Sequence, residues 1–251
     1  SDISYNILPA PHFLIKDSTI FRENSGKIIK LSEIKKMKVF ISQNNFFKKR
    51  MLDITKVVIG DANFTLSIDD FKFLNEANNE KLSEKKLKIK NNKIFLKDKS
   101  NEIITIIKVS NALLFYDNLK LLNLLNLNGS TFNIPFTVNL KNQIFSSRNK
   151  ELNINAQNLK LSIFDESKKK SADSLTGANI ISILNSKIYT NYIIKKNLTL
   201  FESDDSRTKN ENINYNGRLS FKTFNLDLNI KLKKYNLSKL IDNNSIISEL
   251  I

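Results

Sequence analysis

Cysteine, glycine and histidine are absent or scarce in this chain, and each shortage excludes a class of chemistry. Among its 251 residues there is no cysteine, one histidine and five glycines. Without cysteine, the chain has no disulfide, no thiolate nucleophile and no cysteine-bound metal. The glycines stand far apart, so no glycine-rich loop can cradle a phosphate, and nucleotide-dependent chemistry is not expected.

Candidate catalytic and metal-binding residues are correspondingly few. A histidine metal site would need further histidines beside His12, and a Ser-His-Asp triad would have to use this one residue as its base. We therefore interpret His12 as a strand histidine after a proline turn. The acidic pairs Asp69–Asp70 and Asp204–Asp205 lie next to expected turns and lack the spaced oxygen ligands of a calcium loop, which favours solvated surface. We therefore expect no catalytic residue, metal or cofactor, and no enzyme.

Long apolar runs are also missing. The longest apolar clusters, such as residues 112–115, are strand-sized and fall well below the ~18–20 residues of a membrane-spanning helix. The chain begins at Ser1 without an initiator methionine or a signal-peptide pattern, so we expect a processed product or an excised segment. This expectation leaves room for a membrane anchor upstream of Ser1.

Positive charge is abundant, but the type and distribution of the cationic residues argue against nucleic-acid binding. The formal net charge is +15, and nearly all of the cations are lysines spread along the chain. Phosphate and base recognition favour the bidentate fork of arginine, and no DNA- or RNA-binding motif accompanies the lysines. We interpret the lysine triplet at 168–170 as a solvated loop, with contact to an anionic lipid surface as its functional alternative.

Two stretches alternate strictly between apolar and polar residues. In residues 224–233 every even position is apolar and every odd position is Asn, Asp or Lys; residues 132–140 repeat the pattern with one proline at an odd position. A strand lines up such apolar side chains on one face, about 6.6 Å apart, whereas a helix would scatter them. Both stretches are therefore predicted to be strands with one apolar face.

Shorter alternating runs fill most of the remaining chain, with turn signals between them. Turns are expected at Gly60–Asp61, Asn91–Asn92, Asn128–Gly129 and Asn216–Gly217, because Asn and Gly tolerate positive φ. A polar stretch at 75–84 suits a surface loop or a boundary between two modules. As a boundary, it divides the chain into an N-terminal β meander at 1–80 and a β-rich module at 81–251 that continues the same sheet.

Loops, bends and short helices complete the predicted fold. A loop is expected at 165–177, one helical turn at 180–184 and short helices in the tail at 237–251. The phase of the alternation slips near Gln157–Asn158 and again at Thr223–Phe224, where a turn or bulge is needed to keep the apolar side chains on one face.

A sheet with one apolar face must cover that face. Burying five Leu, Ile or Phe side chains contributes about 8–15 kcal/mol per strand as an upper value. The cover can be a second sheet, helices, or a guest such as a lipid chain. Because predicted helices are few, a self-packed β-sandwich, a barrel and a curved sheet that holds a ligand all remain open.

The chain resembles the AsmA-like family of bacterial envelope proteins. The resemblance lies in residues 9–20, in 26–34 with 37–42, in 46–66, and in 124–140, where residues 128–136 resemble the recurring hairpin of the family. It is a pattern of apolar spacing over most of the chain. Two departures are the missing N-terminal membrane anchor and a length that is short for a complete member.

The resemblance implies a mainly β fold: an elongated, antiparallel, twisted sheet curved into a U-shaped apolar groove, with a few short helices. It implies a lipid-binding protein on the periplasmic side of the bacterial inner membrane, linked to passive phospholipid transport or outer-membrane assembly. Acyl chains of phospholipids would be its partners. The residues expected to line the groove are Phe132, Ile134, Phe136, Val138, Leu140, Phe224, Leu226, Leu228, Ile230 and Leu232.

A non-transporting scaffold is the alternative. In that case a second layer of the protein closes the apolar face, as in a β-sandwich, and exposed sheet edges recruit other envelope β-proteins. The two hypotheses differ in whether the apolar face is open to a guest.

Overall fold

The fold is mainly β, as predicted. The computed structural model describes residues 2–24, 27–42, 53–67, 70, 80–98, 100–145, 149–171, 173–207, 212–220 and 224–232. The chain divides into two compact units, Ser1–Leu159 and Lys160–Ile251. The sequence-based boundary between residues 80 and 81 stays a prediction.

Nine strands of the first unit lie side by side in the order of the chain. All neighbouring pairs are antiparallel except β4 and β5, which are parallel. A parallel pair needs a crossover connection, and this one contains the polar stretch at 75–84. The strands are β1 (Ile3–Asn6), β2 (His12–Asn24), β3 (Lys27–Ile41), β4 (Ile54–Ser67), β5 (Lys86–Lys97), β6 (Ile103–Asp117), β7 (Leu122–Thr131), β8 (Ile134–Gln143) and β9 (Asn149–Ala156).

Six strands of the second unit also follow the order of the chain, and every neighbouring pair is antiparallel. The predicted loop at 165–177 was wrong, because the polar residues from Asp165 to Ser171 are paired in a strand. The predicted helical turn at 180–184 was wrong as well, since Ile180–Ile183 belong to a strand. The strands are β10 (Leu161–Ser171), β11 (Ser174–Ile183), β12 (Ser186–Lys195), β13 (Leu198–Arg207), β14 (Asn212–Ser220) and β15 (Asn225–Leu232).

All four predicted Gly/Asn turns lie inside strands and were therefore wrong as turns. Asn128–Gly129, for example, is paired within β7, and the chain reverses instead at Phe132–Asn133. Those two residues have φ of 49° and 62°, the left-handed pair that a type I′ hairpin requires. The bend predicted near Gln157–Asn158 is confirmed as a 3₁₀ turn over Gln157–Leu159. Residues 221–223 and the tail at 237–251 lie outside the described residues.

One extra residue interrupts the side-chain alternation at the same level of five adjacent strands, β2 to β6. On β4, for example, the side chains facing the core are odd-numbered up to Ile59 and even-numbered from Ala62. The interrupting residues on β2, β4 and β5 are Asp17, Asp61 and Asn91, with φ of 49°, 53° and 55°. We call this line the crease; it comprises Asp17, Lys35, Asp61, Asn91 and Ser110. Because every one of these strands carries the extra residue, pairing continues on both sides of it.

The most deeply buried apolar residues of the first unit lie beside the crease. Ile34, Ala62 and Ala112 are each 1% exposed, and Val109 is 2% exposed. Asn92 is buried among them, and its Oδ1 accepts a hydrogen bond from the Ala62 backbone N–H at 2.6 Å. A side-chain amide thus satisfies a buried backbone donor at the interruption of the strand.

Replacing Asn92 with alanine tests this role. Asn92→Ala leaves the buried Ala62 N–H without its acceptor, so the free energy of unfolding should fall by about 2 kcal/mol. Urea denaturation measures the change, and Asn126→Ala, at an exposed position of β7, is the control, expected to shift it by less than about 0.5 kcal/mol. An equal loss of unfolding free energy in Asn92→Ala and Asn126→Ala would contradict the role of Asn92.

Three glycines in strands each pair directly with an aromatic residue. Gly129 lies opposite Phe136, Gly177 opposite Tyr192, and Gly217 opposite Phe201. A Cβ atom added to Gly217 would lie 2.7 Å from Cζ of Phe201, and one on Gly177 would overlap the Tyr192 ring. The rings therefore lie across the glycines and fill the space that a side chain would occupy, which offsets the weakness of glycine in a strand.

A glycine-to-alanine comparison measures this packing. Gly177→Ala should destabilise the protein by about 2 kcal/mol or more, because the added methyl group meets both the Tyr192 ring and the Glu166 carbonyl oxygen. Gly60→Ala is the matched control, since its nearest neighbours are backbone oxygens at 3.9 Å. Thermal unfolding measures the loss of stability in both variants. A loss in Gly177→Ala no larger than that in Gly60→Ala would refute the account.

Candidate functional site

Strand register gathers apolar side chains on one face of the first unit. Leu127, Val138 and Ile154 form one row across β7, β8 and β9, and Leu125, Leu140 and Leu152 form the next. Directly opposite residues share a face of the sheet, and the rows continue through β6 to β2. The apolar face of the first unit thus includes Phe13, Ile15, Met37, Val39, Val57, Ile59, Phe64, Leu87, Ile89, Ile94, Ile107, Leu114, Leu125, Leu127, Phe136, Val138, Leu140, Leu152 and Ile154.

Four of the five residues predicted on the first alternating stretch lie on this face. Their side chains are half-buried, and the residues between them, Pro135, Thr137 and Asn139, are exposed, so the period-two pattern is present in the structure. Phe132 instead lies in the turn before β8 and is 76% exposed. The four strand residues are Ile134, Phe136, Val138 and Leu140.

The second alternating stretch lies at the last described strand of the second unit. On β15 the residues Leu226, Leu228, Ile230 and Leu232 share a face with Leu219, Gly217, Tyr215 and Ile213 of β14, and this side of the sheet is the apolar face of the second unit. Leu226, Leu228 and Ile230 are 51%, 43% and 54% exposed. Phe224 precedes the strand in a turn and is 82% exposed. High exposure follows from position, because β15 has a neighbouring strand on one side only among the described residues.

Little of either apolar face is covered by the described part of the chain. The described residues include nine buried apolar ones, all in the first unit. Five of them lie beside the crease, namely Ile34, Ile59, Ala62, Val109 and Ala112, and the other four are Ile41, Tyr116, Leu122 and Ala156. The described helical residues are Asp70 and Gln157–Leu159, too few to cover a sheet. Within the described ranges, both faces therefore leave large apolar side chains half-buried or exposed, a property typical of binding surfaces.

Polar side chains interrupt the apolar face of the second unit at two places. The Tyr192 hydroxyl donates a hydrogen bond to Asp165 Oδ1 at 2.8 Å. Burial raises the pKa of Tyr192, because the phenolate would lose its hydration, and the hydrogen bond to Asp165 raises it further. The hydroxyls of Thr190 and Tyr215 lie 2.5 Å apart. Each contact links two strands that are separated by a third: β10 with β12 across β11, and β12 with β14 across β13.

His12 and Asp70 occupy structural positions. Asp70 is 6% exposed, so the expectation of solvated surface was wrong for it, and Asp69 lies outside the described residues. His12 is 3% exposed at the start of β2, its Nδ1 lies 2.8 Å from the Ala10 carbonyl oxygen, and its ring stacks on Phe40 at 5.0 Å. Asp70 Oδ2 accepts a hydrogen bond from the Ser67 backbone N–H at 2.7 Å. In the ranges given above, no three His, Asp or Glu side chains are grouped so as to hold a metal ion.

The described helices do not include one with the length and hydropathy that crossing a bilayer requires. No model of a known protein family matches the chain, and a search of curated proteins found no match either. The similarity to the AsmA-like family therefore rests on the apolar spacing alone and stays a prediction.

Several residues of the apolar faces were not predicted from the sequence as site residues. Leu152 and Ile154 belong to a short alternating run, but only the strand register places them beside Leu140 and Val138. Ile213 and Tyr215 face Leu232 and Ile230 in the same way. Alternation alone identifies which residues of a strand share a face, whereas the pairing of strands decides which faces join.

Tyr192→Phe tests the polar contact inside the second unit. At neutral pH the variant should lose about 1 kcal/mol of unfolding free energy, because Asp165 loses a hydrogen bond. Folding raises the pKa of Tyr192. Its contribution to stability is therefore complete below about pH 10, the pKa of tyrosine in the unfolded chain, and decreases as the pH rises further. Urea denaturation from about pH 8 to about pH 11 should therefore show a difference in unfolding free energy between wild type and Tyr192→Phe that decreases above about pH 10. A difference that stays constant over this range would contradict the role of burial.

Proposed function

We propose that this chain is a lipid-binding β-protein of the bacterial envelope, which holds phospholipid acyl chains on its apolar sheet faces. It acts on the periplasmic side of the inner membrane, in passive phospholipid transport or in outer-membrane assembly. The observation that carries the proposal is the set of adjoining apolar rows on β2 to β9, over which the described residues place no second layer.

Acyl chains match these faces in chemistry and in size. A row of side chains along β8 repeats about every 6.6 Å, so Phe136, Val138 and Leu140 present about 13 Å of continuous apolar contact. Contact with an acyl chain removes this surface from water, and each buried CH₂ contributes about 0.8 kcal/mol. The opposite side chains of the same strand, Thr137 and Asn139, are exposed and polar. One face can thus hold hydrocarbon while the other stays hydrated.

Transport on such a face needs no reaction. An acyl chain can slide from one apolar row to the next because neighbouring rows offer similar contacts, while its head group stays in water. The proposal requires no cofactor, and the residues assigned to it bind without taking part in bond making or breaking. Its direction would come from lipid concentrations at the two ends of the path.

Charge placed on the apolar face should abolish lipid binding. Val138→Asp puts a carboxylate where an acyl chain would lie, which is costly unless the charge is paired. Asn139→Asp adds the same charge to the neighbouring residue on the other face. Native mass spectrometry of protein purified from membranes should show co-purifying phospholipid in the wild type and in Asn139→Asp, and at least about tenfold less in Val138→Asp.

The controls separate lipid loss from misfolding. Circular dichroism should show the same strand content in both variants, and lipid transfer between vesicles should fall in Val138→Asp alone. Absence of lipid from the wild type, or equal occupancy in Val138→Asp and Asn139→Asp, would refute the proposal.

A scaffold function is the second candidate, and the exposed strand β15 favours it. Its side chains are exposed on both faces, including Leu226, Leu228 and Ile230. Among the described residues one edge of β15 has no neighbouring strand, and such an edge can pair with a strand of another envelope β-protein. A dye that fluoresces in apolar surroundings separates the two functions. The dye should bind to a folded lipid carrier and fluoresce. With a scaffold whose apolar faces are closed by protein, the dye should not fluoresce.

A further inference from the structure

The face of β2 to β6 opposite the apolar one carries lysines in register. Three pairs of lysines stand directly opposite one another on neighbouring strands: Lys16 with Lys36, Lys56 with Lys86, and Lys93 with Lys108. Directly opposite residues share a face, so the Cβ atoms of each lysine pair lie about 5 Å apart. Like charges in this arrangement lower stability unless a counter-charge is present.

Further lysines join the pairs into one surface. Lys88 and Lys90 lie on β5 between Lys86 and Lys93, and Lys38 lies on β3 beside Lys36. We call these nine lysines of β2, β3, β4, β5 and β6 the lysine face. The alternation of the strands places it opposite the apolar face of the same unit.

Carboxylates of the described residues neutralise little of the lysine face. Lys36 Nζ lies 3.6 Å from Asp61 Oδ2, a distance at which an exposed pair contributes little. Two other described acids lie near these lysines: Glu33, which pairs with Lys30, and Asp17, which follows Lys16 in the crease. Asp17, Glu33 and Asp61 are fewer than the nine lysines, so the lysine face is a broad cationic surface.

The type of cation and its surroundings favour a lipid surface over nucleic acid. The strands β3, β4, β5 and β6 contain no arginine, the residue that recognises phosphates and bases with two parallel hydrogen bonds. Two phenylalanines on this face are already occupied: Lys56 Nζ lies 4.2 Å from the Phe40 ring centroid and Lys86 Nζ lies 5.4 Å from that of Phe115. His12 stacks on Phe40 as well, so that ring is not free to stack on a base.

We propose that the lysine face docks this unit on a membrane surface rich in anionic phospholipids. Clustered lysines are attracted to the negative potential of such a surface, and each adds to the affinity while the phosphates supply the missing counter-charge. The apolar residues among the lysines, such as Val58 and Leu113, suit contact with the head-group region. Docking by one face leaves the opposite, apolar face of the same sheet free to hold a guest.

Vesicle binding by charge-reversed variants tests the proposal. The purified chain is sedimented with vesicles of phosphatidylcholine alone or mixed with phosphatidylglycerol. The first variant combines Lys86→Glu, Lys90→Glu and Lys93→Glu, all exposed on β5. The matched control combines Lys187→Glu, Lys195→Glu and Lys231→Glu, which are exposed in the second unit and produce the same change in net charge.

The expected result is specific to the lysine face. Wild type and control should bind the anionic vesicles and release them between ~0.05 and ~0.5 M salt, and the β5 variant should bind roughly 100-fold more weakly. Its thermal stability should not fall, because Lys56 and Lys108 would each gain a glutamate directly opposite. A loss of binding therefore cannot be ascribed to unfolding.

Three outcomes would overturn the proposal: no binding to anionic vesicles, equal weakening in both variants, or tighter binding of the wild type to duplex DNA or RNA than to the vesicles. The vesicle test does not depend on the apolar face. Failure here would leave acyl-chain binding standing, and loss of acyl-chain binding in Val138→Asp would leave surface docking standing.

Discussion

Backbone pairing between neighbouring strands, combined with two-residue alternation, is the constraint on which the structure depends. Each described strand is held by strands beside it in the sheet, and the backbone hydrogen bonds of an antiparallel ladder fix which residues lie opposite one another. Once the register is set, every side chain is assigned to one of two faces. In the first unit this assignment collects Leu, Ile, Val and Phe on one side and lysine on the other.

Local features of the sheet preserve this separation over long strands. The crease inserts one residue into five adjacent strands at the same level, which keeps Ile59 and Ala62 of β4 on the same side. Asn92 satisfies the Ala62 N–H where the regular spacing is interrupted. In β7, β11 and β14 the aromatic rings opposite the glycines fill the surface that glycine leaves empty. The apolar face of the first unit therefore continues across the crease and across Gly129.

The sequence predicted the class of fold and the faces of individual strands, but not how the strands join. The alternation correctly identified β8, β15 and four residues that share a face on each, whereas Phe132 and Phe224 lie in turns before these strands. The turn signals misled, because Asp61 and Asn91 use their tolerance of positive φ to interrupt strands, and Gly129 and Gly217 pair with aromatic rings inside strands. The parallel pair β4 and β5 and the lysine pairs depend on long-range register, which a single sequence does not contain.

The central claim is that one face of β8 contacts lipid hydrocarbon and the other does not. The chain has no tryptophan, so Val138→Trp and Thr137→Trp each introduce a single fluorophore on opposite faces of the same strand. Phosphatidylcholine with bromine on its acyl chains quenches tryptophan only on close contact. The account predicts strong quenching of the fluorophore at position 138 and little at position 137. Equal quenching at the two positions, or none at position 138, would contradict it.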